Sequence, residues 1–150
     1  MEVKFASHCS YQIRYHQVMC IKYRRQLLRN ESYCDALKSI FKEIAERYWL
    51  EIDEIGTDGD HVHVFVGAAG RWAPSQIMQV LKSISAKEMF KRFPEIRKKV
   101  LWGGEFWSDG GYIGTVGEGT TEEIVRKYIQ NQGNPEEKRM AKQLRLFTLN

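Results

Sequence analysis

Followed by where its apolar residues recur, the chain changes period several times. Residues 8–21, HCSYQIRYHQVMCI, alternate well enough to predict one long strand, with Ile13, Tyr15, Met19 and Ile21 on or near one face. KYRRQLLRN leads out of it. From Ser32 the period lengthens: Tyr33, Leu37, Ile40, Phe41, Ile44 and Tyr48 stand three and four apart, a stripe that must face a core, so a helix is expected to run to Trp49 or Leu50. EIDEIGTD (51–58) predicts a short strand, Asp58-Gly59 a tight turn, and 61–67 the second arm of a hairpin. Pro74 and Ser75 open a second helix carrying Ile77, Val80, Leu81, Ile84 and Met89, closed by Phe93-Pro94. A basic connector is expected at 95–100. Beyond it EFWSDGGYIGTV (105–116) reads as an extended segment interrupted by Gly110-Gly111 and most strand-like from Tyr112 to Val116.

That order predicts an α+β fold, a ferredoxin-like or RRM-like βαββαβ sheet with both helices on one face and the other face free as a working surface. One more helix is expected at the C-terminal end. Gly117 and Gly119 make a flexible joint over 117–120, Thr120 and Glu123 form a capping box, and the helix spans 121–132 until Gly133, Asn134 and Pro135 stop it. With 150 residues the expectation is a single domain, 1–150, with its core at about 8–116 and a charged tail at 133–150.

Composition narrows the class. The chain is 43% hydrophobic and 28% charged, which excludes disordered and fibrous classes. No apolar run reaches bilayer-spanning length, and MEVKFASHCSYQIRYH lacks the apolar core of a secretory signal, so a cytoplasmic protein is expected. Cys9, Cys20 and Cys34 are odd in number with no CxxC spacing, which suits buried thiols in a reducing compartment better than disulfides or a cysteine zinc site. A charge of +4 arrives in bunches: Lys22, Arg24 and Arg25, then Lys87, Lys91 and Arg92, then Arg97, Lys98 and Lys99. Such bunching suits a polyanion, nucleic acid first, although a solvated helix face has the same signature.

The chemistry concentrates in GDHVHVFV (59–66). On a strand His61 and His63 point to one face and Val62, Val64 and Val66 to the other. The valines are the core side. Both imidazoles then stand on the open face with Cβ atoms roughly 6 to 7 Å apart, within reach of one cation. Two solvated strand histidines would look the same. Asp60 is placed to orient a histidine through a hydrogen bond or simply to build the turn. In EEIVRKYIQNQG, Tyr128 and Gln132 lie four apart and share a helix face, which by itself equally describes a packing tyrosine and a solvated glutamine.

Together these segments resemble the small single-tyrosine HUH transposases of the insertion-sequence 200/605 group, transposase A. YHQVMCIKYRRQLL (15–28) resembles their first strand and its basic exit, DHVHVFV (60–66) their histidine-hydrophobe-histidine strand, GYIGTVG (111–117) their last strand, and VRKYIQNQG (125–133) their tyrosine helix with Tyr-x-x-x-Gln. The likeness runs from about 13 to 133. It departs in LWGGEFWSDGGYIG, richer in glycine than the family's WS-x-x-Y region, and the 17 residues after Gly133 match nothing in it.

The resemblance implies an enzyme that cleaves and rejoins single-stranded DNA at insertion-sequence ends. It makes Tyr128 the catalytic nucleophile, His61, His63 and Gln132 the ligands of Mg²⁺ or Mn²⁺, and a homodimer the working unit, with Gly117 and Gly119 as the hinge of the tyrosine helix. A hairpin near each end would be held through phosphates by Lys22, Arg24, Arg25, Lys82 and Arg126, with Trp72, Trp102 and Trp107 available to stack on bases. No nucleotide cofactor is needed, because transesterification conserves the phosphodiester, and no GxxxxGK[ST] occurs. Two readings compete: a domesticated or replication-type nickase of the same chemistry, and a ferredoxin-like nucleic-acid-binding module without catalysis. The module predicts neither metal dependence nor a covalent adduct.

Overall fold

Four strands make the sheet that carries the candidate chemistry: β3 (Arg14–Cys20), β4 (Glu51–Asp58), β5 (His61–Gly67) and β6 (Tyr112–Thr115), all antiparallel, in the order β4-β5-β3-β6. A two-residue pair, β1 (Lys4–Phe5) with β2 (Ser10–Tyr11), lies apart from it. The computed structural model describes residues 3–5, 10–11 and 13–115. The joint at 117–120 with Gly117 and Gly119, the helix at 121–132 with Arg126, Tyr128 and Gln132, and the tail at 133–150 lie outside the described residues.

Helix α1 (Glu31–Tyr48) begins where the Asn30 side chain accepts hydrogen bonds from the backbone N–H groups of Ser32 and Tyr33, satisfying two of the donors a helix start leaves open. It ends at Trp49, whose backbone is left-handed (φ 59°). Helix α2 (Pro74–Arg92) uses proline in its first turn, where no donor is wasted, while the Gln76 side chain accepts from the Ala73 N–H at 2.9 Å. The apolar stripes of both helices bury Leu37, Ile40, Phe41 and Ile44 from α1 and Ile77, Leu81 and Met89 from α2. They meet Met19, Ile21, Val62, Val64 and Val66 in a single core. The helices thus cover the valine face of β5, as the alternation requires, and the ferredoxin-like order is the observed one.

Three expectations are corrected. Among the described residues the long strand over 8–21 is two pieces: Arg14–Cys20 joins the four-stranded sheet, while Ser10–Tyr11 pairs with Lys4–Phe5. The basic connector is a short helix, α3 (Pro94–Lys99), because Pro94 starts a turn and Ile96, fully buried, anchors it to the core while Arg97, Lys98 and Lys99 face water. The extended segment at 105–111 is not strand: Trp107 makes one bridge to Ile21, Gly110 turns left-handed (φ 78°), and pairing resumes at Tyr112.

One bulge shapes the edge strand. Register shifts between Ile52 and Glu54, which adds Asp53 to the side where Arg14 lies. The Arg14 guanidinium, buried on β3, crosses Gly67 and binds Glu51 at 2.8 Å and Asp53 at 2.7 Å, tying the sheet's far edge to its middle.

Candidate active site

Antiparallel register decides which side chains share the face away from the helices. Cys20 and Asp58 stand opposite His61, Val18 and Gly56 opposite His63, and His16 and Glu54 opposite Phe65; Tyr112 of β6 stands opposite Val18. Both β5 histidines are therefore on that face with Glu54, Asp58, His16 and Tyr112 around them.

His61 is held by a hydrogen bond. Its Nδ1 lies 3.0 Å from Asp60 Oδ1, and since a carboxylate only accepts, Nδ1 is the donor and Nε2 is the ring nitrogen left for another partner. Asp60 is buried and fully employed: its Oδ2 accepts from Arg24 Nε at 3.0 Å, and its backbone carbonyl accepts from the Ile21 N–H at 2.8 Å. Burial pushes the Asp60 carboxyl up, but the hydrogen bonds and charges of His61 and Arg24 outweigh it and hold the group below the usual carboxylate value. Asp60 is thus both turn residue and histidine partner. Both roles offered by the sequence are therefore present, and the contact with Arg24 is added to them.

Arg24 reaches Asp60 through an unusual backbone. After β3 the chain makes one 3₁₀ turn over Lys22–Arg24, in which Tyr23 (φ 58°) and Arg24 (φ 52°) are both left-handed. Such conformations cost non-glycine residues about 1 kcal/mol or more each and persist where surrounding contacts over-determine them. Here the contacts are the Arg24–Asp60 pair, Lys22 Nζ against Glu105 at 2.7 Å, and the Lys22 N–H to the Phe106 carbonyl at 2.9 Å.

His63 is held by shape. Its ring lies over Gly56 of β4, where a Cβ would overlap Nε2 and Cε1 and stand 2.8 Å from Cδ2. His16 and Phe65 meet it edge-on, at centroid distances of 5.7 and 6.3 Å. His16, stacked on Phe65 at 4.4 Å, is 5% exposed, and neither of its ring nitrogens has a hydrogen-bond partner among the described residues. Burial first, and then the charge of a neighbouring histidine, pushes His16 and His63 below the ordinary imidazole value of 6.5; Glu54 opposes the shift in both, and Asp58 in His63.

Matching against families of known proteins assigns residues 9–132 to the family described as "Transposase IS200 like". The chain belongs to the IS200-like transposase family. It is 38% identical over 136 residues to the ISDra2 transposase TnpA of Deinococcus radiodurans, covering 91% of this chain and 95% of that one. To the transposase for insertion sequence element IS200 of Salmonella typhimurium it is 31% identical over 141 residues, covering 94% and 89%. A crystal structure of a candidate transposase from Deinococcus radiodurans R1 superposes with a TM-score of 0.78 at 33% identity, covering 86% of this chain and 97% of the other.

In this IS200-like transposase the remaining expected site residues are placed as follows. Lys22 and Arg24 are ion-paired to Glu105 and Asp60, and Arg25 is exposed beside them. Lys82 donates to the carbonyls of Ser108 (2.9 Å) and Gly110, so it fastens α2 to the loop before β6. Trp107 is buried, its indole N–H donating to Ser85 Oγ at 2.9 Å; Trp72 is half-buried against Tyr48; Trp102 is 74% exposed. Cys20 and Cys34 are buried, as expected, and Cys9 lies outside the described residues. Among the described residues no three His, Cys, Asp or Glu side chains gather as a metal site, and no helix is long and apolar enough to cross a membrane. The donors that do fit a divalent ion are the two β5 imidazoles, one with Nε2 freed by Asp60 and the other in a seat that a Cβ would fill.

Four features escape a reading of the sequence alone: Gly56, His16, the pairing of Asp60 with Arg24, and the left-handed Tyr23, whose ring is exposed. Of these, Gly56 alone carries a countable signal. With a two-residue turn at 59–60, Asp58 faces His61, and stepping back two places puts Gly56 opposite His63.

Proposed function

We propose that this chain is a single-tyrosine transposase that cleaves and rejoins single-stranded DNA at insertion-sequence ends, recognising hairpins near those ends. The observation that carries the reading is the pair His61 and His63 on the helix-free face, with the His61 ring held through Nδ1 by Asp60. Family membership over residues 9–132 supports it, because that span includes Tyr128 and Gln132.

The assigned roles are these. His61, His63 and Gln132 would hold Mg²⁺ or Mn²⁺; two imidazoles and an amide make a softer set than an all-oxygen magnesium site, which suits Mn²⁺ well. Bound there, a divalent ion supplies positive charge that polarises the scissile phosphate and offsets charge building in its transition state. Tyr128 supplies the nucleophile: its phenol oxygen forms a bond to phosphorus, the bond to the 3′ oxygen breaks, and a 5′-phosphotyrosine and a free 3′-OH result. The phenol proton departs and one proton arrives at the 3′ oxygen. A free phenol has a pKa of about 10, so a tyrosine nucleophile working at neutral pH needs a base in its surroundings. Attack of another 3′-OH on the phosphotyrosine reverses the step and rejoins strands.

Lys22, Arg24, Arg25, Lys82 and Arg126 are assigned to hold DNA phosphates, Gly117 and Gly119 to let the tyrosine helix swing, and a homodimer to bring two tyrosines to one reaction. The whole chain, 1–150, acts as one domain in this scheme. Incubation with single-stranded hairpin DNA carrying the element's end sequence and Mn²⁺ should give an SDS-resistant protein–DNA adduct. The adduct should vanish with EDTA and in Tyr128→Phe. Persistence in Tyr128→Phe, or no adduct with the authentic end, would overturn the enzymatic reading.

A further inference from the structure

Gly56 has no side chain, no charge and no hydrogen bond that would mark it as functional, yet the His63 ring occupies the volume in which its side chain would be. The two residues are direct cross-strand partners on the face that also carries His61. A ring beside an ordinary strand residue would have to stand upright from the sheet. Beside a glycine it can lie across the neighbouring strand, boxed by the edges of His16 and Phe65. His61 has a carboxylate to orient it; the structure gives His63 a seat instead.

The backbone does not require glycine here. Gly56 lies in regular β pairing, outside the left-handed region occupied by Gly59, Gly104 and Gly110. Alanine would suit the strand at least as well, since glycine in a strand interior gives up packing and loses more chain entropy on folding. What alanine removes is the space under the ring.

We infer that Gly56 is a positioning residue for His63, whose absent side chain sets the direction in which that imidazole meets a divalent cation. The inference rests on the proposed assignment of His63 as a metal ligand. Glu54 and Asp58, two places either side of Gly56 on the same face, add negative charge beside the His63 ring.

The test titrates Mn²⁺ alone into the full chain, with free Mn²⁺ read by electron paramagnetic resonance, for wild type, Gly56→Ala, His63→Ala and the double variant. Gly56→Ala should weaken Mn²⁺ by about ten- to a hundredfold, the range for losing support behind a metal ligand, while its Tm stays equal to wild type or rises. In the His63→Ala background the same substitution should change Mn²⁺ affinity by nothing, because there is no ring left to seat. Wild-type affinity in Gly56→Ala, or an equal loss in both backgrounds, would overturn the inference. Should Gly56→Ala lose stability, the double variant decides: a seat predicts that its Tm matches or exceeds that of His63→Ala, whereas a matching drop in both backgrounds means Gly56 serves the strand. Failure of the metal reading is separable. If wild type and His61→Ala both bind no Mn²⁺, that assignment falls, and the ring resonances of His63 still report on the seat by shifting, or not, in Gly56→Ala.

Discussion

His16 is an imidazole placed where a phenyl ring would be simpler. It is buried, stacks on Phe65, and leaves both nitrogens unbonded among the described residues. Because burial and the His63 charge lower its folded pKa below 6.5, the unfolded chain takes up a proton at higher pH than the folded one. Its contribution, like that of His63, is therefore complete above about 6.5 and is lost as pH falls through that value toward the folded pKa. Metal-free protein should lose Tm as pH drops from about 7 to about 5, and His16→Phe should flatten that slope while adding on the order of 1 kcal/mol at neutral pH. Thermal melts in EDTA across that interval check both; an unchanged slope would put the proton uptake elsewhere. Asp60 acts in a different window. Its carboxyl is held low, so its share of stability is present above the usual carboxylate value and disappears only as pH falls through its own lowered pKa.

At the scale of elements, α1 shows what a sequence discloses and what it withholds. Its stripe from Tyr33 to Tyr48 was readable because each position faces the same core, and the observed burial of Leu37, Ile40, Phe41 and Ile44 follows it. Its end was readable to within a residue, but the left-handed Trp49 was not, since nothing in an exposed tryptophan announces a positive φ. Trp49→Gly should raise stability by about 1 kcal/mol in urea unfolding, because glycine takes that conformation freely and the indole, 79% exposed, gives up little packing. A loss instead would show that the indole secures the helix end through contacts. The short α3 was hidden for another reason: one buried residue, Ile96, fixes it, and a single apolar position has no period. In the candidate site, the shared face of His61 and His63 was legible from alternation alone, their proposed role only from the resemblance. Gly56 and the Asp60–Arg24 pair depend on register and on a turn, which are relations between segments and leave little trace within either.

For the molecule as a whole, the sheet offers one face to the core and the other to the proposed chemistry, and the proposed nucleophile comes from the chain beyond β6. The proposed mechanism joins these through a dimer, which makes a prediction about mixtures. Tyr128→Phe and His61→Ala proteins are each expected to be inactive alone. Co-refolded, they should recover cleavage through one intact site per mixed dimer if the tyrosine helix serves the partner's histidines. Adduct formation by the mixture measures it, and no recovery would mean that each site is built within one chain.

The shared carboxylate of Asp60 has a consequence for how such a protein can change. Arg24 sits in the basic stretch expected to touch DNA, His61 in the strand expected to hold metal, and both end on the same side chain. A lineage drifting toward a new end sequence is free to vary Arg25, which carries no such tie among the described residues. Exchanging Arg24 would remove one of the two side chains that hold Asp60 and so loosen its hold on His61. Retargeting by design should therefore treat residues 24, 60 and 61 as one inherited unit.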